Sequence, residues 1–211
     1  MITSEFYDNY LQGLLAGNRQ HCSGMVEDLL ERNIPVQDLY LDLFQRSMYD
    51  VGNLWEENKI SVAVEHLATS VTESLLSLVY PIIFSAEHNG KKAIISCVAN
   101  EYHQIGGKMV ADILELHGWD GYFLGANTPV DALLKMIADK QPDLVGLSLS
   151  ISHNMSSLHA IVDRIRTDFP DLPVIVGGQA FRWQGMDIER QHDRVELVSS
   201  LTHLQDYIAE A

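Results

Sequence analysis

The sequence is poor in cysteine and has no long apolar run. Its two cysteines, Cys22 and Cys97, lie far apart and outside any CxxC spacing, so a disulfide framework and a thiolate zinc site are both disfavoured. Reduced cysteines are typical of cytoplasmic proteins, and we expect this one to be cytoplasmic. The start, "MITSEFYDNY", is polar and acidic, and no stretch of about 18 apolar residues follows. We therefore expect neither a targeting leader nor a membrane span.

Basic residues are also scarce. Lys and Arg number 14 against 29 Asp and Glu, which gives a formal net charge of -15. Such a surface repels phosphate backbones, so direct nucleic-acid binding is not expected. The sequence also lacks a nucleophile-base-acid triad, a phosphate-binding loop and a paired-carboxylate pattern, so we expect no enzymatic activity from the chain alone.

Residues 1–86 are typical of helices. Apolar residues recur there at three- and four-residue intervals, as in "VQDLYLDLFQRSMYDVGNLW". Breaks are expected around Gly17 and at Pro35, because glycine and proline interrupt helices. The pattern predicts four short helices, which bury their apolar faces by packing as a compact bundle.

Residues 90–211 follow a different period, after a charged linker. Short apolar runs such as "KAIISCVA" and "PVIVGGQA" alternate with amphipathic stretches. This alternation predicts an α/β domain: a doubly wound, parallel, Rossmann-like or flavodoxin-like sheet covered by helices. In such a sheet, ligands bind beyond the carboxyl ends of the strands.

Three turns fall at those ends: "NEYHQIGG", "SLSIS" and "GGQAF". In the first turn, Glu101 can hold one nitrogen of the His103 ring while the other nitrogen faces outward, an arrangement typical of metal-binding histidines. Gly106 and Gly107 would let a bulky group approach the start of the next helix. A structural histidine that caps this helix is the alternative interpretation of the same residues.

Taken together, the three turns resemble the cobalamin-binding domain of corrinoid proteins, whose pattern is DxHxxG, SxL and GG at closely similar separations. The resemblance covers residues 90–211. It departs from the pattern at Glu101, which replaces the usual Asp, and at Ser150, which stands where Leu is preferred.

The resemblance implies a role for each matching residue. His103 would be the lower axial cobalt ligand in place of the cofactor's own dimethylbenzimidazole. Ser148 would contact the displaced nucleotide tail, and Gly177 and Gly178 would leave space for it. The segment 181–193 is either a loop that covers the tail or contacts a partner, or an exposed irregular connection.

In the helical half, Trp55, Glu65 and His66 are candidate site residues. The polar "EENK" segment is expected to end one helix, and Ser61 to cap the next. Trp55 would then share one end of the bundle with the Glu65-His66 pair. The alternative is that the Trp fills the core and the pair lies on a solvated helix surface.

This trio resembles the WxxxxxxxxxEH motif of the adenosylcobalamin-dependent light sensors of the CarH type. The resemblance implies that the bundle caps the upper face of the ring and that Trp55, Glu65 and His66 line the 5′-deoxyadenosyl pocket. In those sensors a histidine follows the Trp and binds cobalt after photolysis, whereas this chain has Glu56. Water, or another histidine such as His66, would then take the upper position.

Repressors of this type carry an N-terminal DNA-binding region that is missing here, and together with the acidic charge this leads us to expect a stand-alone sensor. Its output would pass through homo-oligomerisation or a separate protein partner. Some light-sensing relatives of this domain also accommodate a bilin, so biliverdin is a possible second chromophore. The alternative function is a corrinoid carrier subunit of a methyltransferase system.

Overall fold

The structure is a computed structural model that describes residues 2–182 and 188–210. The chain divides into two compact units, a helical unit (Met1–Phe84) and a sheet unit (Ser85–Ala211). Part of the segment 181–193 therefore lies outside the described residues.

The helical unit contains four helical stretches among residues 2–84. Two are single helices, and the other two pass through a π-helical stretch (Leu39–Gln45) and a 3₁₀ turn (Ser77–Val79), respectively. In chain order the α-helices are α1 (Ser4–Leu15), α2 (Arg19–Glu31), α3 (Val36–Asp38), α4 (Arg46–Glu56), α5 (Val62–Leu76) and α6 (Tyr80–Ile83).

Local sequence explains where these helices begin and end. The Ser61 hydroxyl accepts a hydrogen bond from the Val64 N–H (3.4 Å), which confirms the predicted cap of α5. α1 ends before Gly17, whose φ of +66° is in the left-handed region, and α3 begins directly after Pro35. The predicted breaks at these two positions are therefore confirmed.

The stretch Val62–Ile83 is long and apolar enough, by length and composition, to cross a membrane. Only 33 % of its apolar 18-residue window is buried. Val71, Thr72 and Leu76 are fully buried and α5 contacts α1, α2 and α4, whereas Val62, Leu67 and Ile82 are exposed. A helix that packs one apolar face against its neighbours can be equally long and apolar, so length and composition are weak evidence for a membrane span.

The sheet unit contains five parallel strands in the order β2-β1-β3-β4-β5. The strands are β1 (Lys92–Cys97), β2 (Asp120–Phe123), β3 (Leu144–Ser148), β4 (Val174–Gly177) and β5 (Val195–Leu197). The helices are α7 (Ile105–Leu116), α8 (Val130–Lys140), α9 (Met155–Asp168), α10 (Ile188–Gln191) and α11 (Leu201–Glu210). The predicted doubly wound α/β fold is confirmed.

The strand order places the three turns at one edge of the sheet. β1 pairs with β2 on one side and β3 on the other, so the connections leave in opposite directions at this point. Ser148, at the end of β3, lies opposite Cys97 of β1 and Gly177 of β4. Ligands of this fold bind at such a switch point, beyond the carboxyl ends of the strands.

Candidate functional site

A buried carboxylate holds the ring of His103 in place. Glu101 Oε1 lies 2.6 Å from His103 Nδ1 and also accepts a hydrogen bond from the His103 backbone N–H (3.0 Å). The Glu101 side chain is fully buried, whereas that of His103 is 55 % exposed. Because an ionised carboxylate only accepts hydrogen bonds, Nδ1 carries the proton, and in the neutral ring Nε2 is the nitrogen that can bind a metal.

The second oxygen of Glu101 joins the turn after β1 to the turn after β3. Oε2 accepts hydrogen bonds from the backbone N–H groups of Ser150 (2.9 Å) and Ile151 (3.0 Å). Burial alone would raise the pKa of Glu101, but the hydrogen bonds from the His103 ring and from three backbone N–H groups lower it to about 2. Glu101 therefore stays ionised and fixes His103 at the switch point.

The backbone of the first turn is held from two further sides. Asn100 has a φ of +65°, and its N–H donates to Oδ1 of Asn127 (2.9 Å) in the loop after β2. Nδ2 of Asn154, in the turn after β3, donates to the Asn100 carbonyl oxygen (3.0 Å). Both neighbouring loops thus help to place His103, and the site does not depend on the His103 turn alone.

Cys97 lies beside this turn. Its Sγ lies 3.7 Å from the carbonyl oxygen of His103, to which the thiol donates. Burial, and secondarily the charge of Glu101, raises the pKa of the Cys97 thiol to about 12. The residue therefore stays a thiol at neutral pH, whereas metals bind the thiolate. Both cysteines are free and buried.

Within residues 2–182 and 188–210, no group of three or more His, Cys, Asp or Glu side chains could hold a metal ion.

The glycines of the three turns differ in what surrounds them. A Cβ added at Gly106 would meet nothing within 4 Å, so there is open space beside the first turn of α7. At Gly107 a Cβ would lie 3.2 Å from the Phe123 ring and 3.4 Å from Cβ of Ser148. Ser148 is thus close to the start of α7 across the sheet edge, and Gly106 is the glycine that leaves room for a ligand.

The fold itself explains Gly177 and Gly178. A Cβ at Gly177 would lie 2.8 Å from the carbonyl oxygen of Val198. Gly178 has a φ of +118°, and a Cβ there would overlap the carbonyl oxygen of Leu149. The close approach of the backbone after β3, β4 and β5 requires both glycines, whether or not a nucleotide tail is bound.

We expect Gly178→Ala to lower the free energy of unfolding by about 3 kcal/mol, because alanine is strained at this φ and its Cβ overlaps the backbone of Leu149. Gly106→Ala is the matched control, since its Cβ enters open space at a helical position, and we expect it to change stability by less than about 1 kcal/mol. Urea unfolding of both apo-variants measures the difference. Equal stabilities would contradict this account of the GG turn.

Trp55, Glu65 and His66 lie where α4 ends and α5 begins. Trp55 is in the last turn of α4 and is 46 % exposed. Glu65 Oε1 accepts a hydrogen bond from Thr69 Oγ1 (3.0 Å), and Oε2 lies 2.5 Å from His66 Nδ1. The Glu65 side chain is 19 % exposed and that of His66 is 76 % exposed. Neither Trp55 nor His66 lies in the core. This part of the unit therefore has an exposed aromatic ring and a carboxylate, Glu65, that is fixed by two neighbouring side chains.

Sequence reasoning missed two residues at the sheet edge. Tyr102 and Ile151 are large apolar side chains that are 67 % and 45 % exposed. Tyr102 lies between Glu101 and His103 in the chain, and the Ile151 N–H donates to Glu101. An aromatic residue between the Glu and the His of the first turn was the available signal. Ile151 gave no local signal, because the hydrogen bond that brings it to Glu101 spans 50 positions.

Family models of the B12 binding domain match two parts of the chain, residues 91–195 and residues 7–80. Together they span most of its length, and each falls within one of the two units. The first match contains all three turns of the sheet edge, and the second contains the Trp55, Glu65 and His66 trio.

Two curated relatives come from Myxococcus xanthus. The HTH-type transcriptional repressor CarH is 27 % identical over 180 residues, which are 83 % of this chain and 59 % of that protein. The HTH-type transcriptional repressor CarA is 33 % identical over 126 residues, 59 % of this chain and 43 % of that protein. This chain therefore spans less than two thirds of either repressor.

Among solved structures, the monomethylamine corrinoid protein of Methanosarcina barkeri matches with a TM-score of 0.84 over 98 % of both chains. The two sequences are 15 % identical, so this likeness shows a common fold. It agrees with the order of elements described above, helices first and the parallel sheet second.

Proposed function

Because the chain belongs to the B12-binding-domain proteins and resembles the CarH-type repressors, we propose that it is an adenosylcobalamin-binding light sensor of the cytoplasm. Illumination would change its conformation or its assembly, and a second copy or a separate protein would receive the signal. The observation that carries the proposal is the single, carboxylate-held His103 at the switch point of the sheet.

The sheet edge fits the lower face of cobalamin. His103 would bind cobalt through Nε2, and Glu101 would keep the proton on Nδ1 and the ring in one orientation. The open space at Gly106 leaves room beside the ring. Ser148 and the GG turn stand at the same edge, where the nucleotide tail would enter.

The end of the helical unit supplies the groups that an adenosyl ligand needs. When bound, adenosylcobalamin supplies a cobalt–carbon bond that light can break. The exposed Trp55 ring offers apolar surface to the adenosyl group, and Glu65 offers a carboxylate that accepts hydrogen bonds from ribose hydroxyls. His66 holds the second oxygen of that carboxylate.

The test is the absorption spectrum of the protein reconstituted in the dark with adenosylcobalamin, before and after green light. We expect a base-off, histidine-on spectrum that changes on illumination, together with a change in elution volume on size exclusion. Methylcobalamin is the matched control ligand, and we expect it to bind more weakly. A bilin bound as second chromophore would add absorbance in the red after reconstitution with biliverdin.

The other outcomes of this experiment are equally informative. Tight dark binding of methylcobalamin with little affinity for the adenosyl form would contradict the sensor function and favour a corrinoid carrier. No binding of either cofactor would remove the cobalamin function altogether.

A corrinoid carrier subunit of a methyltransferase system is the second candidate. Glu56 favours it, because the CarH-type sensors have a histidine directly after the Trp. A carrier passes a methyl group between partner enzymes and needs no pocket for an adenosyl group. The exposed Trp and the held carboxylate favour the sensor over this candidate.

We expect Trp55→Ala to reduce the preference for adenosylcobalamin over methylcobalamin by about tenfold, because the aromatic surface for the adenosyl group is lost. Phe84→Ala, which removes a similarly exposed ring directly after α6, is the matched control. Dark titrations followed by absorbance give both dissociation constants. An unchanged ratio in Trp55→Ala would show that the Trp does not face the upper ligand.

A further inference from the structure

Two histidines outside the three turns lie directly against each other. His159 is in the second turn of α9, and His192 follows α10, in the part of the segment 181–193 that the structure describes. Nδ1 of His159 lies 3.0 Å from Nε2 of His192, and the ring centres are 5.3 Å apart. The His192 side chain is only 10 % exposed, so the surrounding protein holds its ring. Neither residue is among the proposed cobalamin-binding residues.

A carboxylate on α9 favours one proton position in this pair. Asp163, one helical turn after His159, has its Oδ1 3.4 Å from Nδ1 of His192. The negative charge of the carboxylate favours a proton on that nitrogen, which leaves the lone pair of the neutral ring on Nε2, the atom that faces His159. A carboxylate behind an imidazole is the arrangement that orients metal-binding histidines.

The spacing of the two facing nitrogens fits a single metal ion. Imidazole nitrogens bind Zn²⁺ at about 2.0–2.1 Å, so two of them on one tetrahedral ion lie roughly 3.3 Å apart. The observed 3.0 Å is close to this value, and small rotations of the rings supply the difference. Without metal, His159 Nδ1 donates its proton to His192. A metal ion takes the place of that proton, which returns to Nε2 of His159 through solvent, so both rings stay neutral.

The donor set selects the class of ion. Because the part of the chain that the structure describes has no group of three or more His, Cys, Asp or Glu that could hold a metal ion, water must complete the coordination of an ion at the pair. Open zinc sites keep water in this way. Neutral imidazoles suit Zn²⁺, Cu²⁺ and Ni²⁺, whereas Mg²⁺ and Ca²⁺ prefer oxygen ligands.

We propose that His159 and His192 form a metal site of their own, which binds a divalent transition-metal ion such as Zn²⁺ independently of cobalamin. Asp163 is the positioning residue of this site. The bound ion joins α9 to the end of α10, two elements whose histidines are 33 positions apart in the chain.

The test is a calorimetric titration of the cofactor-free protein with ZnCl₂, with MgCl₂ as the control salt. We expect saturable binding of Zn²⁺ and none of Mg²⁺. His159→Gln and His192→Gln should each weaken zinc binding by more than about tenfold, because each removes one of the two protein ligands. Saturating Zn²⁺ should raise the thermal unfolding temperature of the parent protein but not that of His159→Gln, because an ion that binds only the folded state stabilises it.

Asp163→Asn tests the positioning role without disturbing the core. The Asp163 side chain is 70 % exposed, so we expect the metal-free variant to unfold like the parent. Its zinc affinity should fall by roughly tenfold, as for other carboxylates behind a metal-binding imidazole. Asp163→Glu, which restores the charge, should recover most of that loss.

His88→Gln is the matched control. His88 is a half-exposed histidine with two carboxylates beside it, Asp120 Oδ1 at 2.6 Å and Glu115 Oε2 at 3.7 Å. An adventitious zinc ion would find the same types of ligand there. We expect His88→Gln to bind Zn²⁺ like the parent.

The remaining outcomes each overturn the inference or separate it from the proposed function. If His159→Gln and Asp163→Asn bind Zn²⁺ like the parent, the pair is not a metal site. If His88→Gln abolishes binding, the zinc is an adventitious ion only. Because the titration contains no cobalamin, a protein that binds Zn²⁺ at the pair but no corrinoid would support this inference and contradict the proposed function.

Discussion

Glu101→Ala is expected to lower the free energy of unfolding of the apo-protein by about 4 kcal/mol. The substitution leaves three backbone N–H groups without their acceptor, those of His103, Ser150 and Ile151. It also removes the two hydrogen bonds by which Oε2 of Glu101 joins the turn after β1 to the turn after β3, and the hydrogen bond from Asn154 to the Asn100 carbonyl oxygen still joins them. Chemical unfolding followed by circular dichroism measures the change.

Two conservative variants separate the effect of the charge of Glu101 from the effect of its side-chain length. Glu101→Asp keeps the charge but shortens the side chain, so we expect it to retain the hydrogen bonds of its own turn and to weaken those to Ser150 and Ile151. Glu101→Gln keeps the length but offers one acceptor oxygen in place of two. The free energy of unfolding of both variants should lie between that of the parent and that of Glu101→Ala. If Glu101→Ala were as stable as the parent, Glu101 would not hold the two turns together.

The same carboxylate makes stability depend on pH in acid. Its folded pKa of about 2 lies below the ordinary value of 4.5, so ionised Glu101 stabilises the folded protein above about pH 4.5. This contribution, about 3 kcal/mol, is lost as the pH falls from 4.5 towards 2, because the folded state must then take up the proton. We expect Glu101→Gln to flatten the pH profile of unfolding in this window.

His103→Ala is expected to weaken cobalamin binding by about a hundredfold or more, because the proposed cobalt ligand is removed. The spectrum of any cofactor that still binds should lack the histidine-on form. The apo-protein should remain folded, because Glu101 keeps its backbone partners at Ser150 and Ile151. Absorbance titration in the dark measures both the affinity and the spectrum.

His153→Ala is the matched control for this variant. His153 lies in the turn after β3, at the same edge of the sheet, and is exposed. We expect its removal to change neither the affinity nor the spectrum. If His153→Ala abolished the histidine-on spectrum and His103→Ala did not, the cobalt ligand would be His153, and the assignment to His103 would be wrong.

In the helical unit, local sequence determined most of the outcome. The periodicity of apolar residues, the Ser61 cap and the breaks at Gly17 and Pro35 are short-range properties of the chain, and the structure has all of them. The π-helical stretch Leu39–Gln45 was not predicted. Its side chains follow a helical period like any other, so no local pattern marks the wider hydrogen bonding, and Tyr40 and Phe44 within it are fully buried.

In the sheet unit, the sequence by itself determined the alternation of strands and helices, the turn that carries Glu101 and His103, and the resemblance to cobalamin-binding proteins. Only the tertiary structure decided that the second oxygen of Glu101 holds the turn after β3 and that Ile151 is exposed beside His103. The physical reason is range. Strand periods and turn residues act over a few positions, whereas strand order brings together groups some 50 positions apart that no local pattern relates.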